Sequence, residues 1–411
     1  MYINNTLRLK RLCLLAGLFF FASTVFFGIS PVKAAIKTDA TRVATATTEA
    51  EGLLFKSVEA IQQRKPDEAL RYLDELLKKY PNYRLAHLIR GDLLMAKTKP
   101  ISGLGGGRFS VEQIKAFREE AIARINRLNT YRPSESVPWL IWSLPADVRY
   151  AFLVETTQSR LYVFRNQDGV ISYVTDFYVS IGKLGFGKTK EGDQKTPLGV
   201  YFITSTLAKN QLKDFYGSGA FPLNYPNDWD VREGRTGSGI WLHGVPSDTF
   251  SRPPKASDGC VVLSNQDFNI ISQYVDVGRT PVVVTAKLAW VHPKILIKER
   301  QQLTDAIEAF RIAWESKDTK KYLDFYSPAF RAQGMTYTQW IEQKRQASDR
   351  KSWRKVAFSN MGIVLYPGYE RLAEVTFLQD YQSSEFNHKM RKRQYWYLNQ
   401  GHWKIMYEGI M

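Results

Sequence analysis

The sequence predicts a multidomain protein with an N-terminal α-helical segment, a central mostly-β domain and a C-terminal α+β domain. Three observations carry this expectation. The chain has 411 residues, too many for one small core. Apolar residues recur at helical spacing up to about Asn129, then switch to short strand-like runs from Tyr150. Beyond about Lys287 a long amphipathic stretch leads into a second set of strands.

Residues 1–34 read as an export signal. Arg8, Lys10 and Arg11 precede a nearly uncharged apolar run from Leu12 to Ser30, and Val32-Lys33-Ala34-Ala35 supplies small residues for cleavage. The run approaches the length of a membrane span, so an uncleaved inner-membrane anchor is the alternative. Either way the remainder is expected outside the cytoplasm, in the periplasm. Cys13 falls within this run and is read as inert.

The helical segment is expected over residues 48–130. Pro66 to Leu77 places apolar residues on one helix face and stops at Tyr80-Pro81, with a helix on each side. Ala69, Leu73, Pro81 and Gly91 fit the rhythm of a tetratricopeptide repeat, and a plain helical hairpin fits as well. After the glycines of Gly103-Leu104-Gly105-Gly106-Gly107, Ser110 and Gln113 form a candidate capping box for a further helix. No Lys-Ser/Thr pair follows those glycines, which argues against a phosphate loop.

The mostly-β domain is expected over residues 149–287. Its strands are read at Phe152–Val154, Leu161–Phe164, Tyr173–Ser180, Gly199–Thr204, Gly239–His243 and Pro281–Thr285, with Gly, Asn and Asp between them. A linker holding His292-Pro293 then precedes the third domain, residues 296–411. There a helix is expected from Lys298 to Ser316, with strands near 352–365, 371–382, 391–398 and 403–408. This last domain is expected to fold as a separate module that contributes no catalytic side chain.

The chemistry is expected in the central domain. Without residues 1–34 the chain keeps a single cysteine, Cys260, in Ser257-Asp258-Gly259-Cys260, seventeen residues after His243. An exported protein that used cysteines for stability would hold an even number, so a solitary thiol near a histidine motif points to a nucleophile. A free thiol is only slightly ionised near neutral pH, and His243 would take its proton. The other histidines, His87, His292, His388 and His402, have no partners at metal-ligand spacing. No metal and no cofactor are therefore expected.

Several separated blocks resemble the L,D-transpeptidase (YkuD-type) catalytic domain of bacterial cell-wall enzymes. They are Gly192-Asp193-Gln194-Lys195-Thr196-Pro197-Leu198-Gly199 before Tyr201-Phe202-Ile203, then Ile240-Trp241-Leu242-His243-Gly244, then Ser257-Asp258-Gly259-Cys260. In the family the carbonyl at the Gly244 position holds the second ring nitrogen of the histidine. Gly259 would allow the turn that presents the sulfur, and its amide, with that of Cys260, would face the developing oxyanion. Many members carry histidine where this chain has Asp258, and arginine where it has Val262. Recognition of the donor carboxylate is therefore assigned to Arg232, Arg235 or Lys195, with Ser257 a further substrate-binding candidate.

The C-terminal segment, through Ala313-Trp314-Glu315, Lys320 to Ser327 and Trp403-Lys404-Ile405, is similar to the NTF2-like domain of cell-shape L,D-carboxypeptidases. The resemblance implies attack by Cys260 on peptidoglycan stem peptides at the bond between meso-diaminopimelate and D-alanine, through a thioester. An amine acceptor would make this an L,D-transpeptidase; water would make it an L,D-carboxypeptidase trimming tetrapeptide to tripeptide. A non-catalytic wall-binding scaffold is the alternative from another class. The formal charge of +17, or +13 without the four basic residues of the first 34, suits an anionic wall or membrane partner. No nucleic-acid motif is present. Pairing of two copies through the N- or C-terminal domain is a further expectation.

Overall fold

The computed structural model describes residues 48–100, 103, 105, 109–129, 135–316, 318–332, 334–349 and 351–411. The signal or anchor expected at 1–34 lies outside the described residues, as do Leu104, Gly106 and Gly107 of the glycine-rich loop. Among the described residues no helix is long and apolar enough to cross a membrane.

Among the described residues four helices make the N-terminal segment, at Glu49–Gln62, Pro66–Lys79, Arg84–Ala96 and Val111–Asn129. Ala69, Leu73 and Leu76 are fully buried and interlock with Leu54, Leu85 and Ala86, as the helical spacing requires. The capping box forms: Ser110 Oγ accepts from Gln113 N (3.2 Å) and Gln113 Oε1 accepts from Ser110 N (3.0 Å).

The central domain is built on a five-stranded mixed sheet in the order Val170–Tyr178, Arg160–Gln167, Tyr150–Glu155, Pro281–Thr285, Gly199–Phe202. Residues 151–154 and 282–284 are buried on both faces of this sheet. Alternation explains why. Phe152, Val154, Val282 and Val284 face a second, four-stranded sheet that carries His243. Ala151, Leu153 and Val283 point the other way, onto Val364, Tyr366, Leu372 and Tyr395 of the C-terminal domain.

That domain is a five-stranded antiparallel sheet with the helix Pro293–Glu315 packed on it through Leu303, Ile307 and Phe310. Its edge strand is Ile141–Ser143, which lies before the central domain in sequence and pairs with Arg354–Leu365. Val137 and Trp142 of the same stretch lie in the C-terminal core. The expectation of a separate module therefore needs correction, because the two domains share a core and the C-terminal sheet takes in a strand that precedes the central domain. Polar contacts close the seam: Asn227 Nδ2 donates to Tyr366 Oη (3.0 Å), and Arg393 Nη1 to Asp228 Oδ2 (3.0 Å). A Cβ at Gly199 would come within 2.6 Å of Tyr366 Oη, so glycine is needed for this close approach.

A buried ionic cluster joins the helical segment to the central sheet. Arg160, 2% exposed, donates to both carboxylate oxygens of Glu51 (2.7 and 3.1 Å) and to Asp176. Arg124 bonds Glu120 (3.0 Å) and Glu51 (3.2 Å), and Arg127 holds Asp176 through two bonds (2.8 and 3.1 Å). Against the opposing effect of burial, the Arg160 and Arg127 guanidinium groups and the Tyr173 hydroxyl hold the Asp176 carboxyl well below its usual range. Removing one member strands the rest as unpaired buried charge. Arg160→Leu should accordingly cost about 3–5 kcal/mol in urea unfolding. A loss under about 1 kcal/mol would mean that the cluster is effectively solvated.

Candidate active site

Strand pairing brings the histidine and cysteine motifs together. Trp241–His243 runs parallel to Val261–Val262, with Leu242 opposite Val261 and His243 opposite Val262. Leu242 and Val261 are fully buried in the core between the two sheets. Successive residues alternate faces, so Trp241, His243 and Cys260 belong to the opposite side, away from that core. The Cys260 thiol is partly exposed and donates to Gly239 O at 3.4 Å.

His243 is buried, and its Nδ1 lies 2.6 Å from Gly244 O. A carbonyl can only accept, so Nδ1 carries the proton and Nε2 is the basic nitrogen. The ring sits among aromatic neighbours, with Tyr216 edge-on at 5.1 Å and Phe215 tilted at 5.9 Å. Burial pulls the imidazole down to about 4; the Gly244 bond opposes this and the charge of Arg252 adds to it. Burial likewise pushes the Cys260 thiol up, against a hydrogen bond from the Trp241 N–H. Asp258 adds to the rise, while Arg252 and Lys188 act against it. At neutral pH the two groups therefore rest as a neutral thiol and a neutral imidazole.

The turn before Cys260 is tightly built. Gly259 has φ +128°, and a Cβ there would meet Lys195 O at 2.8 Å, so only glycine fits. Ser257 Oγ donates to Cys260 O (2.6 Å) and accepts from Gly259 N (3.1 Å), while Thr196 Oγ1 donates to Gly259 O (2.9 Å). Gly244 is equally constrained: a Cβ would lie 2.2 Å from Asn265 Oδ1. That oxygen accepts from Ser218 N (2.9 Å) and Val245 N (3.2 Å), pinning the Tyr216 loop against the strand of His243.

Residues 149–284 match the model of the YkuD L,D-transpeptidase catalytic domain, and residues 302–409 that of the Cds6 C-terminal NTF2-like domain. The chain is similar to Bd1075 of Bdellovibrio bacteriovorus at 32% identity over 67% of this chain and 98% of that one, with a TM-score of 0.59. It belongs to the YkuD L,D-transpeptidase family, in the branch with a C-terminal NTF2-like domain. The helical cell shape determining protein Pgp2 of Campylobacter jejuni is also similar, at 27% identity over 70% of this chain and 99% of that one, with a TM-score of 0.56. Among proteins of curated function, none matches the chain.

As a member of this family the chain is an L,D-transpeptidase- or carboxypeptidase-type enzyme of peptidoglycan, and the basic residues that the sequence suggested for substrate have the following surroundings. Arg232 donates to Ala329 O (2.9 Å), pairs with Glu233 and stacks 4.5 Å over Trp229. Arg235 bonds Asp230 (2.8 Å) and Tyr369 Oη (3.3 Å). Both guanidinium groups are thus committed at or beside the seam with the C-terminal domain. Ser257 is buried inside the nucleophile turn, and its bond from Gly259 N takes up one of the two amides assigned to the oxyanion. Lys195 remains beside the turn, its carbonyl facing Gly259 and its N–H bonded to Asp193 Oδ1 (3.1 Å). Asp258 lies at the rim, held by Lys183 Nζ (2.9 Å) and Gln194 Nε2 (3.0 Å).

Sequence reasoning missed three contributors: Tyr216, Asn265 and Arg252. The first two follow no motif that pairs them with His243 in sequence. Arg252 was legible only as a basic residue in the stretch between the histidine and the cysteine.

Proposed function

We propose that the protein is a cysteine L,D-acyltransferase of peptidoglycan stem peptides. Cys260 Sγ attacks the carbonyl carbon of meso-diaminopimelate, and His243 Nε2 takes the thiol proton. The carbon–nitrogen bond to D-alanine then breaks, the proton passes from His243 to the leaving amine, and a thioester remains. Attack by the side-chain amine of a second stem yields a 3-3 crosslink; attack by water yields a tripeptide. The observation that supports this reading best is the bond from His243 Nδ1 to Gly244 O, which makes Nε2 the acceptor on the strand beside Cys260. Hydrolysis gains support from the likeness, over nearly its whole length, to a protein that determines cell shape. Digestion of sacculi with the pure protein and mass analysis of the muropeptides separates the two. Crosslinked dimers mean transpeptidation, tripeptides mean hydrolysis, and unchanged stems contradict both.

The resting neutral pair has a kinetic consequence. Thiolate content rises tenfold per pH unit below the thiol's raised pKa, so iodoacetamide labelling of Cys260 should climb steadily from pH 6 to 9 with no plateau. A flat profile across that range would indicate a preformed thiolate–imidazolium pair. His243→Ala should lower turnover of stem peptides at pH 7 by about 10²-fold, the scale of a lost general base. Equal rates would remove His243 from that role.

A further inference from the structure

The stretch Ser247–Arg252 crosses between the histidine and cysteine motifs and is held from two sides. On one side it docks on the helical segment. The Phe250 ring stacks 4.0 Å from Tyr83, Asn82 Nδ2 donates to Ser247 O (3.3 Å), and Ser251 Oγ donates to Glu120 Oε1 (2.7 Å). On the other side it docks on the central sheet. Tyr178 Oη donates to Arg252 O (2.9 Å), Ser180 Oγ to Pro253 O (2.5 Å), and Ile181 N to Pro254 O (2.8 Å). A backbone fixed at both flanks gives the intervening side chain a defined position.

That side chain is Arg252. Its guanidinium carbon lies 4.6 Å over the Phe215 ring, which in turn lies 5.9 Å from the His243 ring. The cation therefore stands one aromatic ring from the imidazole. It makes one weak bond, from Nη2 to Phe215 O at 3.5 Å, and among the described residues it has no ion pair. Arg160, Arg124, Arg232 and Arg235, by contrast, all have carboxylate partners. A partly buried guanidinium without an anion is a preorganised carboxylate site.

We propose that Arg252 binds the free carboxylate of the stem's terminal D-alanine and so selects stems that end one residue beyond the scissile bond. This rests on the acyl-enzyme reading above. The carboxylate sits one residue from the attacked carbonyl, within roughly 4 Å of chain, a span that suits a cation one ring away from His243. The charge of Arg252 also reaches Cys260, Asp258 and His243, as a smaller contribution beside burial at the thiol and the imidazole and the Lys183 bond at Asp258. Specificity would then reside in the stretch docked on the helical segment, which gives that segment a role in substrate choice.

The test uses full-length Cys260→Ala protein, which binds without turnover, and two synthetic tetrapeptides ending in D-alanine, one as free acid and one as carboxamide. Calorimetry should show the acid binding about tenfold or more tighter than the amide. Arg252→Gln in the same background should erase that difference, with the unfolding midpoint unchanged to within about 2 °C, and Arg252→Lys should restore part of it. Equal binding of acid and amide, binding of neither, or discrimination that survives Arg252→Gln overturns the assignment. If Arg252 governs binding yet the wild-type protein releases no D-alanine, the acyl-enzyme reading fails and the carboxylate site stands.

Discussion

A protein cut back to residues 48–287 is expected to emerge aggregated or molten, with no cooperative unfolding transition. The central sheet is apolar on both faces, and the C-terminal domain covers one of them. Deleting 288–411 would bare Leu153, Val200, Trp229 and Val283, all buried in the shared core, and would leave Ile141–Ser143 without its partner strand. Each such side chain is worth about 1.5–3 kcal/mol when fully buried, and total stability is only about 5–15 kcal/mol. The loss of several together exceeds what the remainder can sustain. Seam groups such as Asp228 and Asn227 would also lose Arg393 and Tyr366. Circular dichroism and thermal melting of the fragment check this. A soluble fragment that melts cooperatively near the full-length temperature would restore the view of two independent modules.

Cys260→Ala should abolish conversion of stem peptides, with a rate loss of roughly 10⁴-fold or more, while the protein stays folded. The thiol is small and partly exposed, so its removal opens no large cavity. The cost should stay under about 1 kcal/mol, a shift of roughly 2–4 °C or less in melting temperature. Muropeptide profiles and a melting curve on one preparation separate lost chemistry from lost fold. Normal profiles from the variant would end the cysteine mechanism.

The strands of the central sheet were legible because continuous apolar runs such as Phe152-Leu153-Val154 are bounded by polar turns. The same runs concealed their reason: burial on two faces needs a second covering layer, and here the C-terminal domain supplies it. Helix boundaries were less legible. The helix expected from Lys298 begins at Pro293, with His292 as its cap through Nδ1 accepting from Lys294 N at 3.2 Å, because proline suits a first helical turn. Residues 296–411 read as self-contained because their own pattern is complete. Nothing in Ile141–Ser143 signals that this short strand pairs with residues more than two hundred positions later.

At the site, the residue types were legible where chemistry constrains them and illegible where only geometry does. His243, Gly244, Gly259 and Cys260 stand in motifs whose spacing is dictated by one turn and two adjacent strands. Arg232 and Arg235 drew attention as basic residues near the motifs, yet Glu233, Asp230 and Ala329 O hold them. Arg252 was passed over because its position depends on Tyr83, Glu120 and Tyr178, from three separate parts of the chain.

The central claim is a covalent intermediate on one sulfur. Intact-protein mass spectrometry after mixing with a disaccharide tetrapeptide and quenching in acid within seconds addresses it directly, since thioesters survive acid. The account predicts an adduct with the mass of the muropeptide less one alanine, confined to the peptide that contains Cys260, removed by hydroxylamine and matched by free D-alanine. An adduct on another residue, or release of D-alanine by the Cys260→Ala protein, would contradict it.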